Sequence, residues 1–256
     1  MKICAIGDPQ SVHVEARIRS VTAHGCSVVL FSEAESEKAP TVSFSALMQL
    51  IDEIGKVSVD IVHVHYAANR TAWATLMQKK FPPVIVTVMG GDVLDDEQVP
   101  LSFPARWMTH QLLKYSHVVT VKTAHLNQAV KSAGVTSNRI VDLMWGIDPY
   151  YFLQKEPAIT RKTLGFSEND WVIFSPRSLK PFYNHHLILD AVHAAKTDGV
   201  QIRIVFTGYN EDQAYRLDIG SQAQTYGLSN SIVFLDAQKC EGMADIYALS
   251  DLVVSL

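Results

Sequence analysis

Cysteine is scarce in this sequence. Only Cys4, Cys26 and Cys240 occur in 256 residues, too few and too scattered for a disulfide framework or a zinc site, which points to a reducing compartment. Long apolar runs are missing: none approaches the roughly 20 residues a membrane helix needs. The opening MKICAIGD is interrupted by Asp8, too early for a secretory signal core. An excess of one charge is also missing. With 22 Lys+Arg against 26 Asp+Glu, the formal charge of −4 leaves no footprint for nucleic acid. Glycine and proline are present in ordinary numbers, 13 and 10, and 48% of residues are hydrophobic, so disordered and collagen-like classes are excluded. Several reaction signatures are absent as well. GDPQS follows the first apolar run where a dinucleotide fold has G-x-G-x-x-G, and there is no P-loop. No G-x-S-x-G, H-E-x-x-H or C-x-x-C occurs, and no D-x-D pair of the kind that holds a metal–diphosphate complex. The expectation is a cytoplasmic, soluble chain, large enough for one large or two modest cores.

What is present is a recurrence of short Val/Ile-rich runs: Ile3–Ile6, Val28–Phe31, Ile61–Val64, Val84–Val88, Val118–Val121 and Ile140–Leu143. A second set follows at Val172–Phe174, Ile202–Phe206, Ile232–Phe234 and Leu252–Leu256. Continuous rather than alternating hydrophobicity suits strands buried on both faces of a parallel sheet. Between them lie crossover-helix candidates at Val12–His24, Leu47–Ile54, Asn69–Lys80, Thr123–Ala133, Asn184–Lys196 and Gln213–Tyr226. The fold class is therefore α/β. The pattern breaks over YYFLQKEPAITRKTLGFSEND, residues 150–170. We divide the chain there into a first domain, 1–155, and a second, 156–256, each a doubly wound parallel sheet, with ligand expected in the crevice at the strands' carboxyl ends. One long sheet with a surface insertion is the alternative. The chain stops on an apolar strand, SDLVVSL, with no covering element, and we expect it to be a fragment of a longer product.

Three loops at carboxyl ends of strands could carry chemistry. In the first, Gly7–Asp8–Pro9–Gln10–Ser11, glycine allows close backbone approach and the next helix N-terminus favours an anion. An ordinary turn with Ser11 as N-cap explains it equally. In VTVMGGDVL, Gly90 and Gly91 give a loop a ring can lie against, and Asp92 projects to accept from sugar hydroxyls; the plain alternative is Asp92 capping the next segment. In SPRSLKPFYNHH, Arg177 and Lys180 stand before a helix beginning near Asn184, together a diphosphate cradle, or else two solvated cations. His63 and His65 share one strand face, but with no third ligand evident they read as cleft-lining histidines rather than a metal site. His185–His186 reads as solvated surface. The stretch FPARWMTHQLLKY, Phe103–Tyr115, reads as a core-packed crossover helix, or more sharply as an interfacial surface for a lipid-linked acceptor.

At these residues the sequence resembles the retaining family-4 glycosyltransferases, glycosyl transferases group 1, of the GT-B fold. The opening MKICAIGD with its helix ending in His24–Gly25 is similar to the family's start. VDIVHVHY resembles its D-[IV]-[IV]-H-x-H strand and VTVMGGDVL its T-x-x-G-S-D-[VI] loop. VVTVKTAHLNQAVKSAG resembles the strand and helix with a hydroxyl residue between them. MWGIDPYYF is similar to N-G-[VI]-D-x-x-x-F, VIFSPRSLKPFYNHHLILDAV to the G-R-x-x-x-x-K-G segment, and MADIYALSDLVVSL to the Y-x-x-A-D-[VL]-x-[VL] strand.

The resemblance implies two Rossmann-like domains, acceptor on the first and nucleotide-sugar donor on the second, with metal-independent transfer, retention and no cofactor beyond the donor. By position it implies that Arg177 binds the donor diphosphate and that Gly208 begins the loop under the nucleotide. Phe234, Leu235 and Asp236 border the base. Gly7, Asp8 and Asp92 are candidates to line the cleft from the first domain, and Gly90, Gly91, Asp92 and His65 to form the sugar and acceptor loop; the resemblance names no catalytic base. The family's lysine position holds Tyr183 and its glycine position Asn184, with Lys180 one turn earlier as the substitute cation. The paired glutamates of the family's E-x7-E segment would begin after Leu256. The leading expectation is a transferase of polysaccharide or glycolipid synthesis, inactive as this fragment alone, with peripheral membrane contact and no nucleic-acid partner. A non-catalytic nucleotide- or sugar-binding module is the main alternative, and a nucleotide-sugar epimerase a third.

Overall fold

The computed structural model describes residues 1–9, 11–31, 52, 56, 58–77, 82–94, 101–146, 156–195 and 201–256. They form two compact units, Met1–Gly146 and Ile147–Leu256. The division drawn from sequence falls after residue 155, and 147–155 lie outside the described residues.

The first unit runs β1 (Lys2–Ile6), α1 (Val12–Ala23), β2 (Ser27–Phe31), β3 (Ile61–His65), α2 (Arg70–Ala74), β4 (Val84–Thr87), α3 (Phe103–Tyr115), β5 (Val118–Val121), α4 (Ala124–Ser132) and β6 (Ile140–Asp142). Its strands are all parallel, in the order β2-β1-β3-β4-β5-β6. The Val/Ile runs form strands because both faces are covered. Cys4, Ile6, Val62, Val64, Val86, Val119 and Val121 are buried against Leu112 and Leu113 of α3 and Leu126 and Val130 of α4. The expected helix Leu47–Ile54 lies, except for Asp52, outside the described residues. Over Asn69–Lys80 the helix covers Arg70–Ala74 and tightens into a 3₁₀ turn, Thr75–Met77; residues 78–80 are not described. Helix α3 packs as the crossover reading expects. Thr109, Leu112 and Leu113 face the core, while Phe103, Trp107 and Tyr115 are exposed.

The second unit runs β7 (Trp171–Ser175), α5 (His185–Ala194), β8 (Ile202–Thr207), α6 (Gln213–Thr225), β9 (Ile232–Leu235), α7 (Cys240–Leu249) and β10 (Leu252–Val253). This separate parallel sheet has the order β10-β7-β8-β9, which replaces the single-sheet alternative by two sheets. Leu179 and residues of α5 and α6 pack on one face with Phe206; Phe166 and Ile246 and Leu249 of α7 pack on the other with Phe174. No helix was expected over 240–249. The apolar end 252–256 forms a two-residue edge strand, Leu252–Val253, with both residues exposed, and the Val254 N–H donates to the Phe174 carbonyl at 2.9 Å.

Segment 156–170 belongs to this unit by its bonds. The Asp245 carboxylate of α7 accepts from the backbone N–H of Ala158 (2.8 Å) and Ile159 (3.1 Å). The Arg161 guanidinium donates to the carbonyls of Leu249, Glu168 and Asp170 and to the Asp251 carboxylate at 2.7 Å.

Candidate functional site

In an open parallel sheet, crossovers that leave neighbouring strands in opposite directions part at the carboxyl ends and open a crevice there. The strand orders locate that point between β1 and β3 in the first unit and between β7 and β10 in the second. Gly7 and His65 lie at the first of these places and Arg177 at the second; the other residues singled out from sequence lie at the carboxyl ends of neighbouring strands.

In the first unit Gly7 ends β1 and His65 ends β3. A Cβ on Gly7 would come within 3.1 Å of both the His65 Cβ and a Val14 methyl of α1, so glycine is needed for helix-to-strand packing. Asp8 is exposed in the loop that follows. Ser11 stands at the N-cap of α1, but its side chain makes no capping bond.

The loop after β4 departs from expectation. Asp92 does not project; it is 1% exposed, and its oxygens accept from the backbone N–H of Met89 (3.0 Å), Gly90 (2.9 Å) and Ala67 (2.8 Å). Burial raises its carboxyl pKa against the pull of those donors. The carboxylate therefore ties the loop after β4 to the loop after β3. Gly90 takes φ +134°, open to glycine at little cost, and strain shows at Tyr66, with φ +81°. Gly91 is exposed, and a Cβ there would meet the Tyr66 hydroxyl at 3.6 Å.

The two strand histidines are bonded within the unit. His63 Nε2 meets Thr87 Oγ1 at 2.9 Å, which meets Thr120 Oγ1 at 2.7 Å. His65 Nδ1 meets Arg17 Nη1 at 3.1 Å, and the two imidazoles lie 4.0 Å apart. Burial, reinforced by neighbouring positive charge, depresses the His63 pKa to about 4 and that of His65 to about 2, so both are neutral.

Arg17 belongs to a group that motif reading missed. Its guanidinium stands 4.1 Å from the centroid of Trp145, the Lys122 ammonium is also 4.1 Å from that indole, and the His13 ring is 4.9 Å away. Burial lowers the Arg17 pKa to about 10, and its Nη2 is shielded from water with no hydrogen-bond partner among the described residues. An unpaired buried donor costs about 1–3 kcal/mol. A signal existed: Arg17 occupies the apolar stripe of α1 made by Val14, Ile18 and Val21, where an uncharged residue is expected.

In the second unit Arg177 stands at the switch point itself. It follows β7, and its Nε donates to Ser255 Oγ, beyond β10, at 2.7 Å. Its guanidinium is exposed and 5.4 Å from the Tyr183 ring centroid, and no carboxylate pairs with it among the described residues. Lys180 begins a 3₁₀ turn, Pro181–Tyr183, and Asn184 starts α5 in the left-handed conformation, φ +47°, ψ 36°. Asparagine is the side-chain-bearing residue best suited to that region, so the backbone that a glycine would adopt is retained. His185 is not solvated surface. It is fully buried among Phe206, Tyr183 and Tyr215, and burial lowers its pKa against the opposing pull of the Arg177 and Lys180 backbone.

The neighbouring loops are tied to this one. The Asp212 N–H, after β8, donates to the Leu179 carbonyl, and the Gly208 N–H to the Leu235 carbonyl, each at 2.8 Å. Phe234 lies under Arg216, 4.8 Å from its ring centroid, and Arg216 is held by both oxygens of Glu211 at 2.8 and 3.0 Å. Arg177, Lys180, Asn184, Gly208, Phe234 and Leu235 thus come together at one end of the second sheet. Gly7, His65, Gly90, Gly91 and Asp92 do so at one end of the first. Among the described residues no group of three metal-ligating side chains occurs.

The chain matches the glycosyl transferase 4-like family over residues 2–122 and glycosyl transferases group 1 over residues 158–256. No curated protein matches it in sequence. Among solved structures it is similar to Anabaena HepE, determined in complex with UDP and glucose (TM-score 0.71, 17% identity, 99% of this chain and 73% of that one). Sucrose-phosphate synthase from Thermosynechococcus elongatus gives a TM-score of 0.77 at 16% identity, over 99% of this chain and 74% of the other. UDP-GlcNAc 2-epimerase from Methanocaldococcus jannaschii gives 0.58 at 12%, over 99% and 78%. With two parallel α/β units and both halves matched, the chain belongs to the group 1, family-4-like glycosyltransferases of the GT-B fold.

Proposed function

We propose that the chain transfers a sugar from a nucleotide-diphosphate donor to an acceptor hydroxyl, with retention and without a metal ion, in polysaccharide or glycolipid synthesis. The observation that carries this reading is Arg177, an exposed guanidinium at the switch point of the second sheet, ahead of a ten-residue helix. In the reaction the bond from the anomeric carbon to the diphosphate breaks, and the nucleoside diphosphate leaves with the electron pair. The acceptor oxygen forms the new bond and gives up its proton to an oxygen of the leaving diphosphate. Charge grows on the leaving diphosphate, where Arg177, Lys180 and the N–H groups opening α5 are arranged to receive it. The nucleotide then lies along Gly208, with Phe234 and Leu235 beside the base. Because HepE was determined with UDP, uridine is the first base to try. The Gly90–Gly91 loop presents the acceptor; His65 is buried and bonded to Arg17 and does not reach the sugar, and Asp92 acts by holding that loop rather than by touching the sugar.

We place the protein in the cytoplasm, touching a membrane surface through the exposed Phe103, Trp107 and Tyr115 of α3 when the acceptor is lipid-linked. The described helices include none long and apolar enough to cross a membrane. The test is incubation with UDP-sugars and a glycan or lipid-linked acceptor, in the presence of a chelator, following UDP release and the anomeric configuration of the product. Acceptor-dependent release insensitive to the chelator, with a retained anomer, is expected. Donor isomerisation without acceptor would instead mark an epimerase, on the precedent of the methanogen structure. Saturable UDP binding with neither reaction would mark a binding module.

A further inference from the structure

Among the described residues the first unit concentrates positive charge in one place that glycosyl transfer as described leaves unused. His13 and Arg17, one turn apart on α1, meet Lys122, just past β5, around the single indole of Trp145. Burial alone lowers the Arg17 pKa, and burial with cationic neighbours lowers those of His13, His63 and His65; no carboxylate is among the causes. Arg17 spends Nη1 on His65, whereas Nη2 is screened from water and unpartnered. Lys122 also lines an open hollow of about 660 Å³ together with Thr123, Asn127, Gln128, Lys131 and Asp142, whose carboxylate accepts from the Asn127 amide at 3.1 Å; a ligand reaches Lys122 from that side, while Arg17 and His13 stand outside the hollow.

A neutral sugar hydroxyl would leave this charge uncompensated. A carboxylate answers one cation, whereas a phosphate monoester carries close to two charges and tetrahedrally disposed oxygens that suit an Arg–Lys pair with an imidazole at its side. We propose that Arg17, Lys122 and His13, arrayed around Trp145, bind the phosphoryl group of a phosphorylated acceptor. Trp145 acts as the positioning residue that holds the two cations apart at a fixed spacing. The inference rests on the glycosyltransferase reading and narrows its acceptor to a phosphate-bearing one, but the site lies wholly in the first unit and is tested without turnover.

The experiment titrates inorganic phosphate, glucose 6-phosphate and glucose into the chain and reads Trp145 emission, with Trp145→Phe as the blank, so that phosphate held at Arg177 is not counted. Saturable quenching by phosphate and glucose 6-phosphate, none by glucose, and a fivefold or greater weakening in both Arg17→Gln and Lys122→Met are expected. Lys122 is half-buried at the surface, so its variant keeps the test available if Arg17→Gln unfolds. Vesicles of phosphatidylglycerol in place of glucose 6-phosphate distinguish a lipid phosphodiester from a soluble monoester as the source of the group. A linear, unsaturable response that chloride reproduces, or saturation unchanged in both variants, overturns the proposal. UDP affinity measured on the same samples separates the two readings. UDP bound without phosphate at Trp145 sinks this inference alone, and phosphate at Trp145 without UDP sinks the transferase reading.

Discussion

At Asn184 the backbone adopts φ +47° at the start of α5, a conformation that costs most residues about 1 kcal/mol or more and asparagine and glycine much less. Asn184→Gly is therefore expected to leave the melting temperature nearly unchanged, and Asn184→Val to lower it by an amount worth about 1–2 kcal/mol; equal melting of the two would refute the strain argument. Asp92 gives a sharper contrast. Asp92→Ala strips the acceptor from three backbone N–H groups, at about 1–3 kcal/mol for each one left buried and unpaired. Thermal or urea unfolding should report that loss even with no sugar present. A variant as stable as the parent would return Asp92 to the role of direct sugar ligand. The turn chemistry around Gly90 and Asp92 was visible in the residues, but the direction of the carboxylate was not, since loop spacing carries no information on which way a side chain faces. Arg17 was overlooked for a related reason: a charge on an apolar stripe looks like an imperfection of the pattern until the partners that hold it, from β3 and from beyond β6, are seen in space.

The His63 imidazole turns local burial into a pH dependence. Its folded pKa, about 4, lies below the ordinary histidine value of 6.5, so between those values the unfolded chain binds more protons than the native one. Stability of the first unit is then full above about pH 6.5 and falls as the pH drops toward 4, with His65 adding in the same direction. His63→Gln should remove up to one proton from the slope, about 1.4 kcal/mol per pH unit, in unfolding experiments across that window. An unchanged slope would mean that the ring is solvated.

At the scale of elements, strands were the readable part. Runs such as Ile3–Ile6 and Val118–Val121 are continuous because two layers of helices cover them, and that continuity marks a buried parallel strand in any window. Helix α7 was obscured for the opposite reason: CEGMADIYAL leads without a break into the apolar SDLVVSL, so no boundary signals where helix gives way to strand. The polar stretch after Pro157 looked like linker, yet Asp245 and Arg161 fasten it to the second unit through contacts that lie 86 to 90 residues apart in sequence. Separation of that order leaves no local trace. Asp245→Ala should destabilise the second unit by about 2 kcal/mol, two backbone donors losing their acceptor, and expose Arg161–Lys162 to trypsin. Resistance to trypsin equal to that of the parent would show the segment held by other means.

For the whole molecule, the two-sheet plan followed from the spacing of apolar runs; the two compact units part at Gly146–Ile147, ahead of the boundary drawn after residue 155, and the strand order located the switch points that spacing alone could not. Those points are where the α/β rule expects ligand, and the second unit has Arg177 there with no carboxylate beside it among the described residues. The most direct measurement is calorimetric titration of UDP into the chain and into Arg177→Ala. The account predicts binding by the parent chain that weakens tenfold or more in the variant, a loss of about 1.4 kcal/mol or above, with the fold intact by circular dichroism. Equal affinity in the two proteins would take Arg177 out of the donor site and contradict the placement of the diphosphate.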